Sequence, residues 1–296
     1  MAWLLGGSQS AVQARAGYLF VSLSVLLIAL FTIWPVVMAL YLSLTNYDVL
    51  SRQDWVGFSN YQKLWNNELF WRSLENTAIY AFGTIPVRMA IALTIAVALN
   101  RSFRGRSILL SLYYVPVVTA TVAIAIVWQE MYDPNYGAMN HILSLVGLPR
   151  IGWLGDPNWA MFSIILTSVW RNIGTSLVIF LAGLQGIPEQ YYEAAQIDGA
   201  GRWHQFIHLT WPLLQPTTFF IFVTSTIAAF QVFEQVLVMT NGGPASATTT
   251  VVHQVYNTAF QSLQMGYASA MAFALFLVIL SISMINVRLF RSDVQY

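Results

Sequence analysis

Long stretches of this sequence contain no Asp, Glu, Lys or Arg. None occurs from Ala16 to Tyr47, from Ser107 to Gln129, from Leu209 to Phe233, or anywhere from Met239 to Val287. A helix of about 20 largely apolar residues spans the hydrocarbon core of a bilayer. Two further stretches are interrupted, Leu74 to Leu99 by Glu75 and Arg88, and Trp159 to Leu184 by Arg171. Charged residues make up 8% of the 296 residues, against roughly a quarter in soluble domains. The expected fold is therefore all-α and integral to the membrane. Six transmembrane helices are expected, over about 17–44, 74–99, 107–129, 159–184, 209–239 and 267–289, in a single transmembrane domain 1–296.

The first apolar run is far longer than the roughly 7–15 residues of a cleaved signal core, so it reads as a retained helix. There is no cysteine, which removes disulfides and Cys-based metal sites. Six spans place both termini on one side. Arg15, Arg101, Arg104, Arg106, Arg202, Arg288 and Arg291 share that side, and an excess of basic residues in short loops marks the cytoplasm. The expected location is the inner (plasma) membrane, with N- and C-termini cytoplasmic. Trp34, Trp128, Trp153 and Trp159 lie near span ends and read as lipid-interface anchors. The outer loops, about Thr45–Ser73 and Glu130–Asn158, exceed the 2–8 residues of simple helix connections; small surface helices are expected there.

The loop 185–212 joins the fourth and fifth spans and reads, from Leu184, LQGIPEQYYEAAQIDGAGRWHQFIHLTWP. Pro188 suits a first helical turn, Glu189 the positive end of the helix dipole, and Gly199 the left-handed residue after a helix. A helix of this length is marginal alone in water and needs a surface to rest on. Its acids argue against an interfacial lipid helix, which favours Lys and Arg. The alanines permit close approach, so the segment reads as a docking helix.

These residues resemble a known family. EAAQIDGAGRWHQFIHLTWPLLQP is similar to the cytoplasmic EAA loop of permease subunits of binding-protein-dependent ABC importers, with Trp211-Pro212 where a Leu-Pro recurs. FQVFEQVLVMTNGGP from Phe230, SVWRNIGTSLVIFLAGLQGIP from Ser168, NTAIYAFGTIPVRMAIALTIAVALNR from Asn76 and SLYYVP from Ser111 resemble the carbohydrate, maltose-transporter branch. The resemblance covers the chain from about Trp55 onward. It implies the type I importer permease fold with a cytoplasmic coupling helix, whose ATPase-coupling positions are Glu193, Ala194, Ala195, Asp198 and Gly199. It also implies partners: a second homologous permease, two ATPase subunits, an extracellular or periplasmic solute-binding protein, and a sugar-like solute.

Nothing in the chain reads as an enzyme. A phosphate-cradling G-x-x-x-x-G-K-[ST] loop is absent; the sole lysine, Lys63, lies in Tyr61-Gln62-Lys63-Leu64. No cofactor is expected in this chain, with ATP and Mg bound by partner ATPase subunits. His141, His204, His208 and His253 lack metal-site spacing. Ionisable residues at membrane depth mark pathways or structural pairs, here Arg88, Arg171 and Glu234, with Arg88 and Glu234 able to neutralise one another. By resemblance, the substrate pathway includes Thr121, Trp170, Arg171, Asn172, Ser225, Ala229, Gln231, Val232 and Glu234. Ala229 and Val232 stand where the maltose permease has amides. The expected function is the permease subunit of an ATP-driven importer of a mono- or oligosaccharide or related polyol. The alternatives are a glycerol-phosphate or other organic-solute permease, with Arg171 as phosphate ligand, and an ion-coupled secondary transporter.

Overall fold

In the computed structural model of the chain, residues 9–49, 53–101 and 103–289 are described. Arg291, used in the orientation argument, lies outside them. The described residues form helices, with no strand beyond an isolated Thr45–Trp55 bridge. The chain divides into two compact units, Met1–Asn66 with Thr258–Phe273, and Asn67–Asn257 with Ala274–Tyr296.

In the first unit, α1 (Gln9–Ile28) runs through a π-type turn, Ala29–Ile33, into α2 (Trp34–Ser43). Gly17–Ser43 is long and apolar enough to span a bilayer. No residue of its most apolar window is buried, as suits a helix facing lipid. The short α3 (Ser59–Trp65) is one of the small helices expected in the first outer loop. The Asn60 amide donates to Ser43 O at 2.8 Å and Thr45 O at 2.9 Å, satisfying carbonyls left free where α2 ends.

The second unit is built on two long helices, α4 (Glu68–Leu99) and α8 (Pro157–Gln185). The Asn67 side chain caps α4 by accepting from Phe70 N, and Asp156 caps α8 by accepting from Asn158 N. Ala92 and Ala96, one turn apart on α4, are fully buried against Ile173, Leu177 and Phe180 of α8. Lipid tails are as apolar as leucine, so close packing by small residues drives such contacts. Helix α4 begins at Glu68 rather than near 74, because its first turns, carrying Glu68, Arg72 and Glu75, extend beyond the apolar zone.

Two spans expected as continuous are broken. α5 (Arg106–Val118) and α6 (Thr121–Met131) meet at 98°, and Arg202–Leu213 meets α12 (Gln215–Phe230) at 60°. The first break follows Pro116, whose missing N–H weakens the helix; Thr119 is extended and its hydroxyl donates to Val115 O at 2.9 Å. Among the described residues, four helices pass as spans outright, and up to six when each bent pair is one span.

The second outer loop holds α7 (Ala138–Leu145). It is organised by Asn140, whose Oδ1 accepts from Ile151 N and Trp153 Nε1, both at 3.0 Å, while its amide donates to Ile151 O. Trp128 and Trp153 are buried at 8% and 7% exposure and pack on either side of Tyr132. Their reading as lipid anchors is thereby corrected. Trp34 is exposed.

The candidate solute cavity and coupling surface

Polar side chains at helical spacing on α4, Tyr80, Thr84 and Arg88, all face one cavity of about 410 Å³. Ser168, Arg171 and Asn172 of α8 share the opposite wall because residues three and four apart lie on one helix face. Thr121 enters from the first turn of α6, just beyond the break. Ser225, Ala228 and Ala229 come from the end of α12, and Gln231, Val232 and Phe233 from the unwound segment that follows. Glu234 and Gln235 open α13 (Glu234–Met239), and Ile85 of α4 and Val252 of α14 (Val251–Tyr256) complete the lining.

Irregular backbone at membrane depth survives only where protein or a water-filled cavity satisfies it. At 231–233 protein groups satisfy it and the segment borders the cavity. Gln231 N donates to Ala228 O and Val232 N to Ala229 O, each at 3.2 Å, and Thr250 Oγ1 donates to Val232 O at 3.0 Å. Beyond α13, Asn76 of α4 donates to Ser246 O and Thr249 O, both at 3.0 Å, tying down the Gly242-Gly243-Pro244 turn. The Gly243–Pro244 peptide is cis, and Gly242 has φ +80°. His253 packs under this turn, its Nε2 3.1 Å from Asn241 Oδ1, and burial pushes its pKa down.

Within the cavity, Tyr80 Oη and Ser168 Oγ are 2.5 Å apart, and Arg88 Nη2 donates to Ser225 Oγ. Arg171 Nη1 donates to Asn172 Oδ1 at 3.2 Å. Arg88 and Glu234, able from sequence to neutralise one another, are not paired among the described residues; Arg88 bonds Ser225 instead. Eight of the expected pathway residues line this space: Thr121, Arg171, Asn172, Ser225, Ala229, Gln231, Val232 and Glu234. Trp170 does not. It lies two residues past Ser168, about 200° round the helix, and packs edge-on against Trp128 with ring centroids 5.4 Å apart. Tyr80, Thr84, Ser168 and Gln235 were missed, although the four-residue spacing of Tyr80, Thr84 and Arg88 was readable.

The loop 185–212 holds α9 (Glu189–Ile197), no residue of which is buried. It ends as the sequence predicts, on Gly199 at φ +77°. Gly199 N donates to Gln196 O at 3.0 Å and Ala200 N to Ala195 O at 2.8 Å, the paired bonds of a Schellman cap. Glu193, Ala194, Asp198 and Gly199 are exposed and Ala195 half-buried. Ile197 is 87% exposed and Trp203, on α10 (Arg202–Gln205), 73%. Such apolar groups beside exposed acids make a surface suited to protein contact. Tyr192 Oη lies 3.0 Å from Thr210 Oγ1, anchoring α9 to the helical run that enters the fifth span.

A membrane helix bundle with a polar internal cavity and an exposed helix at one end defines a permease-type subunit. Over residues 90–292 the chain matches the model of the binding-protein-dependent transport system inner membrane component, and it belongs to that family. It is 38% identical over 91% of its length, and 88% of the other chain, to the probable ABC transporter permease protein YesP of Bacillus subtilis. It is 32% identical, with 95% and 96% covered, to the trehalose/maltose transport system permease protein MalF of Thermococcus litoralis. The fold matches a chain in the crystal structure of a bacterial alginate ABC transporter bound to its alginate pentasaccharide-loaded periplasmic protein, with TM-score 0.81 and 22% identity over 96% of each chain. The chain is thus a non-catalytic inner-membrane permease subunit of a binding-protein-dependent ABC importer, with the type I permease fold.

Proposed function

We propose that this permease carries a saccharide-like solute through the cavity between α4, α8 and α12, as one half of a pathway shared with a second, homologous permease. The observation that carries this reading is the cavity's lining. Hydroxyls of Tyr80, Thr84, Ser168 and Ser225 and amides of Asn172, Gln231 and Gln235 converge there, and a sugar's many hydroxyls need such donors and acceptors. Phe233 adds an aromatic ring for an apolar sugar face. The named solutes of relatives, trehalose and maltose for one and alginate for the structural neighbour, fit the same class.

In this reading α9 is the coupling helix. Two ATPase subunits, which hold the ATP and Mg, grip Glu193, Ala194, Ala195, Asp198 and Gly199 from the cytoplasm, where both termini also lie. A solute-binding protein delivers cargo from outside. Closure of the ATPases favours the outward-open cavity and hydrolysis the inward-open one, a two-state equilibrium biased by ligands. The unwound 231–233 segment supplies the hinge.

The test is purification of the intact complex, identification of its bound solute by mass spectrometry, and uptake by proteoliposomes. A saccharide is expected, with uptake requiring ATP; uptake that survives ATP depletion and collapses with an ionophore refutes the coupling. Glu193→Ala is expected to reduce ATPase co-purification, and equal recovery with unaltered uptake refutes the coupling-helix assignment.

A further inference from the structure

Two guanidinium groups face this cavity without an ionic partner among the described residues. Arg88 donates from Nη2 to Ser225, and Arg171 from Nη1 to Asn172, with Thr119 O only at 3.5 Å from Nη2. The Nε of each is buried and makes no hydrogen bond. Buried charged donors are rarely left so, and a cation at membrane depth is costly unless something neutralises it. The one carboxylate in the lining, Glu234, is exposed and bonded to neither.

We infer that the solute carries a single negative charge, a carboxylate on a sugar-like body, held between Arg88 and Arg171. The inference rests on the cavity being the solute pathway. Counting charges over the lining leaves two cations against one anion, so this chain's share of the cavity is one positive charge in excess. A neutral sugar leaves that charge uncompensated. A phosphate monoester, at about −1.5 to −2 near pH 7, overshoots it. A carboxylate matches it, and its two oxygens fit the planar fork of a guanidinium. The hydroxyls and amides around the two arginines then meet the rest of the sugar.

The experiment uses the reconstituted transporter with its binding protein. The first arm needs no variant: mass spectrometry of the solute carried by the wild-type complex is expected to find a sugar acid. The second arm measures binding to the detergent-purified complex, without binding protein, of a glucuronate-terminated disaccharide, its neutral glucose counterpart and glucose 6-phosphate. The uronide is expected to bind about tenfold tighter than either. Arg88→Gln and Arg171→Gln should each erase that preference, and Arg171→Lys should restore part of it. Glu234→Gln should move preference toward the phosphate, since it adds a positive charge to the cavity. A complex that carries a neutral saccharide, or whose preference is unchanged in both glutamine variants although they assemble normally, overturns the inference and leaves the saccharide reading standing. Preference for the phosphate in the wild type overturns the carboxylate assignment. Absence of binding by any sugar overturns the pathway reading itself.

Discussion

Gly174 sits about one turn beyond Arg171 on α8, where that helix passes close to α5. A Cβ at this position would lie 2.2 Å from the Tyr113 carbonyl oxygen, 2.9 Å from its carbon and 3.0 Å from Val117 Cγ2. Two of those atoms are backbone, so no rotamer change relieves them. For Gly174→Ala, α5 and α8 must move apart until the 2.2 Å approach reaches the 3.4 Å of ordinary contact. Overpacking of this kind costs about 1–3 kcal/mol, which for a chain of this size lowers the unfolding midpoint by roughly 2–4 °C per kcal/mol. The control is Gly155→Ala, where a Cβ meets nothing within 4 Å; a surface change there stays within about 0.5 kcal/mol. The assay is thermal unfolding of the detergent-purified complex, followed by uptake. A fall of several degrees is expected for Gly174→Ala alone, with reduced uptake because Arg171 and Asn172 move with α8. Midpoints that coincide for the two variants refute the close-approach argument.

Thr250→Val removes the hydroxyl that donates to Val232 O. An unsatisfied buried carbonyl costs about 1–3 kcal/mol, so the variant should melt lower while Thr250→Ser stays near wild type. Gly199→Ala forces a side chain into a left-handed position at φ +77° and should cost about 1–2 kcal/mol. Retention of the ATPase subunits should fall for it, whereas Gly201→Ala, where a Cβ meets open space, retains them. His253 is held below its ordinary 6.5 by burial, so just below that pH the unfolded chain binds more protons than the folded one. Stability is therefore full above about pH 6.5 and falls as the pH drops below it, by at most about 1.4 kcal/mol per pH unit. Unfolding scans from pH 7.5 to 5 should flatten in His253→Gln; equal slopes remove His253 from the account.

Charge is expensive in hydrocarbon whatever the surrounding fold, so gaps between charged residues located the spans with no knowledge of tertiary contacts. The gaps are blind to backbone geometry. The stretch Ser107–Gln129 is uncharged throughout, yet the chain turns by 98° inside it, because Thr119 can satisfy Val115 O with its hydroxyl and free the backbone to bend. Likewise Leu209–Phe233 reads as one apolar run although it bends before α12 and unwinds at Gln231. That unwinding is paid for by Thr250, 18 residues downstream of Val232 whose carbonyl it satisfies, a contact no local pattern announces. Trp153 looks like an interface residue until Asn140 binds its indole N–H, and Trp128 until it packs against Tyr132 and Trp170. Helix α9 was legible to its last cap, since Gly199 and the hydrogen bonds around it are local. The cavity was only half legible. Resemblance supplied the residues of α6, α8 and α12, but on α4 only Arg88 drew notice, because a charge in a span stands out and a tyrosine or threonine does not. Yet Tyr80, Thr84 and Arg88 are four residues apart, and a span facing lipid on every side has no use for a polar stripe. The stripe itself, more than the single charge, predicts that this helix borders water.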